Sequence, residues 1–269
     1  MSLYIKRTFH QPDFVITGND EKILDFLRLQ YNPFIYDYLP ADTYGIEIIK
    51  QTDNYIIKNN GMEIITQTPL YDIDGIIFEN TIYDDSVFAL HGSAVECNGK
   101  AYLFIAGTGS GKTTLASYLA CSGFGYITDD CILLDRDNFY VYPYNCPVQL
   151  RDGGLKILEK LEKVPDNLQF LDDEVIRRYI YTPGNCITKP LPLGGVYFIE
   201  RNETENMIVN ISTNEKMTEL MKAPITNYTI TPDYLRLIAR LSRTVCQKLI
   251  YRDMEYVVKI IREAGELNG

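Results

Sequence analysis

The chain has 269 residues, 46% of them hydrophobic and 23% charged, the balance of an ordinary globular protein with room for one large domain or two smaller ones. A formal net charge of −10 excludes a broad nucleic-acid-binding face. No apolar run reaches the ~18 residues that a membrane span needs, and Met1 to Asp13 lacks an apolar core of signal-peptide length, so the expectation is a soluble, cytoplasmic protein with no membrane partner.

Residues 1 to about 85 read as a β-rich part packed on the rest of the chain. Leu3-Tyr4-Ile5 and Phe14-Val15-Ile16 are short strands. Asp20 to Leu29 is a helix capped by Asn19 or Asp20, with Ile23, Phe26 and Leu27 on one face. Gly45 to Ile49, Tyr55 to Lys58, Met62 to Ile65 and Gly75 to Phe78 are expected to form an antiparallel meander, with Thr52-Asp53-Asn54 and Asn59-Asn60-Gly61 as turn signals. Nothing in this part gathers polar groups for chemistry.

From residue 86 on the pattern changes. Phe88 to Cys97 is a strand that turns through Asn98-Gly99, a strong hairpin signal, into Tyr102-Leu103-Phe104-Ile105. This strand carries His91, one of two histidines in the chain; the other is His10. A lone strand histidine is more often structural than catalytic.

Next comes Ala106-Gly107-Thr108-Gly109-Ser110-Gly111-Lys112-Thr113-Thr114, a phosphate-binding P-loop with Ala where the first Gly usually stands. The helix after it has Leu115 and Leu119 one turn apart and Gly123 as its cap. Strand, glycine loop and helix together give the pattern a mechanism. The backbone N–H groups from Gly107 to Thr114 can wrap phosphate, aided by the helix N-terminus. Lys112 would reach the β- and γ-phosphates of ATP, and the Thr113 hydroxyl would meet Mg²⁺.

Phe124 to Thr128 is a second core strand ending on Asp129-Asp130. A carboxylate at such a strand end commonly holds Mg²⁺ beside a P-loop, and a second one can accept a proton from an attacking hydroxyl. Ile132 to Leu134 and Tyr140 to Tyr142 form a hairpin. Pro147-Val148-Gln149-Leu150-Arg151-Asp152-Gly153-Gly154 then runs into a helix with Leu155, Leu158 and Leu161 on one side. Arg151 is a candidate phosphate or substrate contact, with a surface ion pair as the plain alternative.

Asp166 to Pro183 is polar, and Asp172-Asp173-Glu174 before Ile176 and Tyr179 suggests a short helix and loop. Gly194 to Ile199 and Met207 to Ile211 are further strands. Asn214 to Lys222 is helical, Thr231-Pro232 caps and opens another helix, and Met254 to Ala264 is the last. Val245 to Tyr251 fits helix or strand equally. Cys97, Cys121, Cys131, Cys146, Cys186 and Cys246 form no C-x-x-C pair, which fits free thiols in a reducing compartment.

Taken in order, the P-loop, Asp129-Asp130 and the Gln149-Leu150-Arg151 segment resemble the kinase domain of HPr kinase/phosphorylase. In that family a strand with a His, a Gly hairpin, the P-loop, a Gly-linked strand ending Asp-Asp and an E-I-R-G-x-G signature succeed one another. Here they resemble His91, Asn98-Gly99, Ala106 to Thr113, Gly123 to Asp130 and Gln149 to Gly154. The similarity covers Leu90 to Gly154, with Gly194 to Arg201 resembling a later core strand.

The resemblance implies an α/β fold with a P-loop kinase core of the HPr kinase and phosphoenolpyruvate carboxykinase type, over residues 86–269. It implies Mg²⁺-dependent transfer of the ATP γ-phosphate to a seryl hydroxyl, by a chain that forms a homo-oligomer. Asp129 or Asp130 then looks like the general base and the other is metal-linked, with Lys112 in the catalytic set, His91 a helper and Arg151 a phosphate contact. Thr113, Asp130 and Gln149 stand at the metal positions.

Gln149 replaces the family's signature Glu. The separate amino-terminal domain of the bifunctional enzymes is replaced by the shorter β-rich part, and no Arg-Pro-Gly-Arg-Asn-like segment of the dephosphorylating kind occurs. These departures resemble the smaller HPr-kinase-related proteins, some of which modify peptides in natural-product pathways such as lasso peptides. The expected activity is therefore a kinase acting on a Ser or Thr hydroxyl of a peptide, protein or small molecule. A nucleotide-dependent switch or ATPase, and a carboxykinase-like enzyme, are the competing classes. The absence of an N-K-x-D motif argues against a GTPase, and that of an ABC signature against a transporter.

Overall fold

In the computed structural model, residues 2–6, 13–36, 43–82, 86–144, 146–172, 177–225 and 231–267 are described. The chain divides into two compact units, Met1–Asp85 and Ser86–Gly269.

The first unit contains β1 (Ser2–Ile5), β2 (Asp13–Gly18), α1 (Glu21–Gln30), β3 (Ile35–Tyr36), β4 (Thr43–Lys50), β5 (Tyr55–Asn59), β6 (Met62–Thr66) and α2 (Pro69–Ile82). Its six strands form one sheet in the order β3-β1-β2-β4-β5-β6. β4, β5 and β6 are the antiparallel meander expected from their turns, whereas β2 and β4 run parallel, with α1 between them in the chain. The Asp20 carboxylate caps α1 by accepting from the Lys22 backbone N–H, and also accepts from the Tyr55 hydroxyl at 2.8 Å.

One expectation is corrected here: Gly75 to Phe78 belongs to helix α2 and not to a strand. The local Ile-Ile-Phe triplet reads as β, but the wider spacing is helical. Leu70, Ile73 and Ile77 lie at i, i+3 and i+7 and are all buried, and Pro69 opens the helix at its first position.

The second unit opens with β7 (Val87–Cys97), β8 (Lys100–Ile105), α3 (Lys112–Ala120), β9 (Gly125–Thr128), β10 (Cys131–Asp135) and β11 (Val141–Tyr142). It continues with β12 (Val148–Leu150), α4 (Asp152–Lys160), β13 (Gln169–Asp172), β14 (Arg177–Tyr181) and β15 (Leu193–Arg201). It closes with β16 (Met207–Val209), α5 (Thr213–Lys222), α6 (Pro232–Leu241), β17 (Cys246–Tyr251) and α7 (Met254–Leu267).

Eight strands make a mixed sheet in the order β11-β10-β7-β8-β15-β17-β16, with β9 pairing to β7 as well. β8, β15 and β17 are parallel, and Ala101 to Ile105 of β8 are buried on both faces, as a strand covered on both sides must be. Along β8, Tyr102 and Phe104 join a core with Leu115, Leu119, Val257 and Ile261 of α3 and α7. Leu103 and Ile105 join a second core with Leu220, Ile238 and Leu241 of α5 and α6. This is an α/β unit with helices on both faces of the sheet.

Two more segments differ from, or complete, the sequence reading. Residues 169–172 and 177–181 pair as two antiparallel strands, β13 and β14, and not as a helix and loop. β14 also pairs with β12 in a three-stranded sheet and buries Ile180 and Tyr181, two β-favouring residues whose β12 partners are remote in the chain. Asp173, Glu174 and Ile176 lie outside the described residues. Residues 246–251, balanced between helix and strand, are β17, because a parallel place beside β15 is there to receive them. Among the described residues no helix is long and apolar enough to cross a membrane.

Candidate functional site

Strand β7 organises the site because it pairs differently along its length. Val87 to His91 pair with β10, and Gly92 to Cys97 pair with β8. On the β10 side, β9 takes over at Ala94, so Asp129-Asp130 falls in the bend between β9 and β10. On the other side Gly92 stands opposite Ile105, the last residue before the P-loop. The Gly92 N–H donates to the Asp130 carbonyl at 3.1 Å. A Cβ at Gly92 would meet the Phe104 carbonyl oxygen at 2.8 Å and Ile132 Cδ1 at 2.5 Å, so only glycine fits this crossing. Thr113 and Asp129, well separated in the chain, thereby converge.

The loop itself has the backbone its glycines predict. Gly109 and Gly111 adopt φ of +80° and +91°, and Gly111 leads into α3 with no side-chain cap on the helix N-terminus. Gly107, Thr108 and Gly109 are exposed, while Thr114 is buried. The Lys112 ammonium turns back over the loop and donates to the carbonyls of Ala106 (2.9 Å) and Gly107 (3.0 Å). Burial holds its pKa below that of a free lysine, and the charge of Asp130 partly opposes that shift. The Ser110 hydroxyl is buried and has no hydrogen-bond partner among the described residues. An uncapped helix N-terminus, a buried ammonium and a hydroxyl awaiting a partner together suit an anion.

The two aspartates occupy different environments. Asp129 is buried and accepts from the Tyr126 hydroxyl at 2.9 Å and from the side chain of Thr113. Desolvation, with the neighbouring charge of Asp130 second, pushes its pKa up to about 7. Asp130 is exposed and lies 3.2 Å from Nδ1 of His91. That hydrogen bond, the His91 charge and the charge of Lys112 hold the Asp130 carboxyl below the usual carboxylate range. His91 is fixed in turn by its own backbone N–H, which donates to the Ala223 carbonyl at 2.6 Å. Lys112, Thr113, Asp129, Asp130 and His91 thus form one cluster.

The Gln149–Gly154 segment approaches from α4. Val148 and Leu150 pack into the core with Leu115 and Tyr118 of α3, and a Cβ at Gly154 would meet the Thr114 hydroxyl at 2.8 Å. The first turn of α4 therefore touches the first turn of α3. Arg151 precedes α4 as an exposed side chain with no ion pair among the described residues. Gln149 is half-buried and pairs with Ile180; no hydrogen bond joins it to Thr113, Asp129 or Asp130 among the described residues. His10 lies outside the described residues.

For a cofactor, the hard oxygen donors beside the loop are the Thr113 hydroxyl and the Asp129 and Asp130 carboxylates. Among the described residues no group of three or more His, Cys, Asp or Glu converges into a metal cage. Mg²⁺ needs no such cage, since it keeps waters and takes one or two carboxylates plus substrate phosphates. The donors present fit that mode. Sequence reasoning passed over one residue here. Tyr126 looks like core in an apolar strand, and nothing local marks its hydroxyl as the partner of Asp129. Thr114, expected as part of the phosphate loop, is also the platform for Gly154 once α3 and α4 are packed. All six cysteines are free thiols. No family model matches the chain, and no curated protein matches it.

Proposed function

We propose that this chain is an ATP- and Mg²⁺-dependent kinase of the HPr-kinase-related type, transferring the γ-phosphate to a Ser or Thr hydroxyl of a peptide, protein or small molecule. The observation that carries the reading is the convergence across Gly92 of a P-loop with Lys112 and Thr113 on one side and Asp129-Asp130 with His91 on the other. A phosphate-binding loop alone serves motors, switches and kinases alike. A carboxylate pair split into one buried member on Thr113 and one exposed member at the mouth supplies the acceptor side as well.

In this reading the loop amides and Lys112 hold the β- and γ-phosphates and neutralise charge that builds during transfer. Lys112 exchanges the carbonyls of Ala106 and Gly107 for phosphate oxygens. Mg²⁺ would supply Lewis-acid neutralisation of the phosphate charge. Thr113 and Asp129, already joined by a side-chain hydrogen bond, are the residues that would hold it. Asp130 is the base. The acceptor O–H proton moves to its carboxylate as the new O–P bond forms, while the bond from Pγ to the bridging oxygen breaks and ADP leaves. His91 orients Asp130, and Arg151 stands where it can meet an acceptor or a phosphate. This exchanges the metal role expected at Asp130 for Asp129 and leaves Gln149 without one.

The test is transfer of labelled γ-phosphate from ATP to a panel of Ser- and Thr-containing peptides and small alcohols, followed by mass mapping of the modified hydroxyl. Transfer that disappears in Lys112→Ala supports the kinase. ATP consumed with no labelled acceptor in any member of the panel favours a switch or ATPase instead.

A further inference from the structure

Tyr126 is fully buried on β9, three residues before Asp129, with its ring in the core formed by Val95, Leu119 and Tyr197. A phenol in such surroundings needs a partner for its hydroxyl. The hydroxyl of Tyr251, in the same core, has none among the described residues. That of Tyr126 has two acceptors in reach, Asp129 Oδ1 at 2.9 Å and the Cys146 carbonyl at 3.0 Å.

The position of this hydroxyl matters because of what lies on either side of it. Asp129 is the residue that takes a hydrogen bond from Thr113, at the front of the site. Cys146 belongs to the segment leading into β12, which carries Gln149 and is followed by Arg151. A carboxylate at the end of a strand can rotate about two side-chain torsions, and two donors from opposite sides fix it.

We infer that Tyr126 is a positioning residue, whose hydroxyl donates to the Asp129 carboxylate and holds it against Thr113. This rests on the phosphoryl-transfer reading of the site. Tyr126 does not touch the nucleotide. It acts through Asp129 on how the magnesium complex of the nucleotide is received, and removing its hydroxyl leaves the phosphate cradle itself intact.

The experiment compares binding of a non-hydrolysable ATP analogue in Mg²⁺ and in EDTA, for the full chain and for Tyr126→Phe. The expected result is an EDTA affinity unchanged within about twofold and a Mg²⁺-dependent gain reduced about tenfold, the usual scale for loss of an outer partner of a metal-facing group. Tyr181→Phe is the control. Its hydroxyl is also buried and donates to Ser117 Oγ at 2.8 Å on α3, the helix that carries Thr113, and its loss leaves the gain in place. If Tyr126→Phe does not fold, Tyr126→Met carries the same comparison.

A full Mg²⁺-dependent gain in the Tyr126 variant overturns the inference and leaves the kinase reading standing. An equal loss of affinity in Mg²⁺ and EDTA overturns it too, because a general structural role does that. A wild-type chain with no Mg²⁺-dependent gain, and with Lys112→Ala binding as tightly, removes the phosphoryl-transfer reading and this inference with it.

Discussion

His91 and Asp130 face each other across the β7–β10 pair, with Nδ1 3.2 Å from Oδ1 and the Gly92 N–H bonded to the Asp130 carbonyl. The register of the pair brings them together, since Cys131 stands directly opposite His91. One of the chain's two histidines is thereby committed to orienting the exposed carboxylate of the doublet. His91→Ala should lower the rate of phosphate transfer by about tenfold to a hundredfold, at the lower end of what acid–base groups contribute, while nucleotide affinity stays within about twofold. Steady-state kinetics with ATP varied at fixed acceptor checks this. A variant with kcat unchanged and KM for ATP raised would place His91 in nucleotide binding instead.

Glycine positions in the site separate sharply by the space around them. Gly92→Ala forces a Cβ to within 2.8 Å of a backbone oxygen and 2.5 Å of the buried Ile132 side chain. It should destabilise the second unit by about 1–3 kcal/mol, as overpacking of a filled core does. At Gly153, inside α4, the same Cβ meets nothing within 4 Å. Gly153→Ala should raise stability by roughly 0.4–1 kcal/mol, through a less flexible unfolded chain. Thermal unfolding of the two variants beside wild type measures both, and equal effects would contradict the packing at β7.

The first unit has a pH dependence of its own. Asp74 on α2 accepts from Gln30 Nε2 at 2.7 Å and from the Tyr31 hydroxyl at 2.8 Å. Desolvation pushes its carboxyl up to about 6 despite these bonds. With the folded pKa above the unfolded value of 3.8, the folded chain binds the extra proton. The contribution is therefore fully present below the unfolded pKa and is lost as pH rises through about 6. Amide hydrogen exchange in α1 and α2 should show weaker protection at pH 8 than at pH 5, after correction for intrinsic rates. Asp74→Asn should remove that difference, since an amide keeps an acceptor for Tyr31 and cannot ionise. Persistence of the full difference in Asp74→Asn would show that another group is responsible.

The parts of the molecule that short-range chemistry decides could be read from the residues. Glycines at 109 and 111 announced a loop able to wrap phosphate, and Asn98-Gly99 announced a hairpin; all four have positive φ, between 50° and 91°. The doublet Asp129-Asp130 and the histidine at 91 were visible as candidates, and β7 brings them to one place. What remained hidden depended on distant partners. Gly75 to Phe78 is helical because Leu70, Ile73 and Ile77 share a buried face, and a four-residue window does not show that. β14 is a strand because β12 and β13 flank it. The distinct environments of Asp129 and Asp130 arise from Tyr126, Thr113 and His91, none of them marked as their partner by sequence distance.

Asp129 and Asp130 give the account a further separation. Asp129→Asn should weaken the Mg²⁺-dependent part of nucleotide binding, because the amide that replaces the carboxylate is a poorer partner for a hard cation. Asp130→Asn should leave that part unchanged within about twofold. Titration of a non-hydrolysable ATP analogue with and without Mg²⁺ checks the pair, and the reverse pattern would exchange their roles.

The central claim is that the loop and Asp130 are the two halves of one phosphoryl-transfer site, and Asp130→Asn tests it most directly. Once a labelled acceptor is in hand, single-turnover transfer from ATP should fall by about 10²–10⁴-fold, the range that loss of a general base produces. ATP binding in Mg²⁺ should persist in the same preparation. Transfer at the wild-type rate in Asp130→Asn would contradict the account.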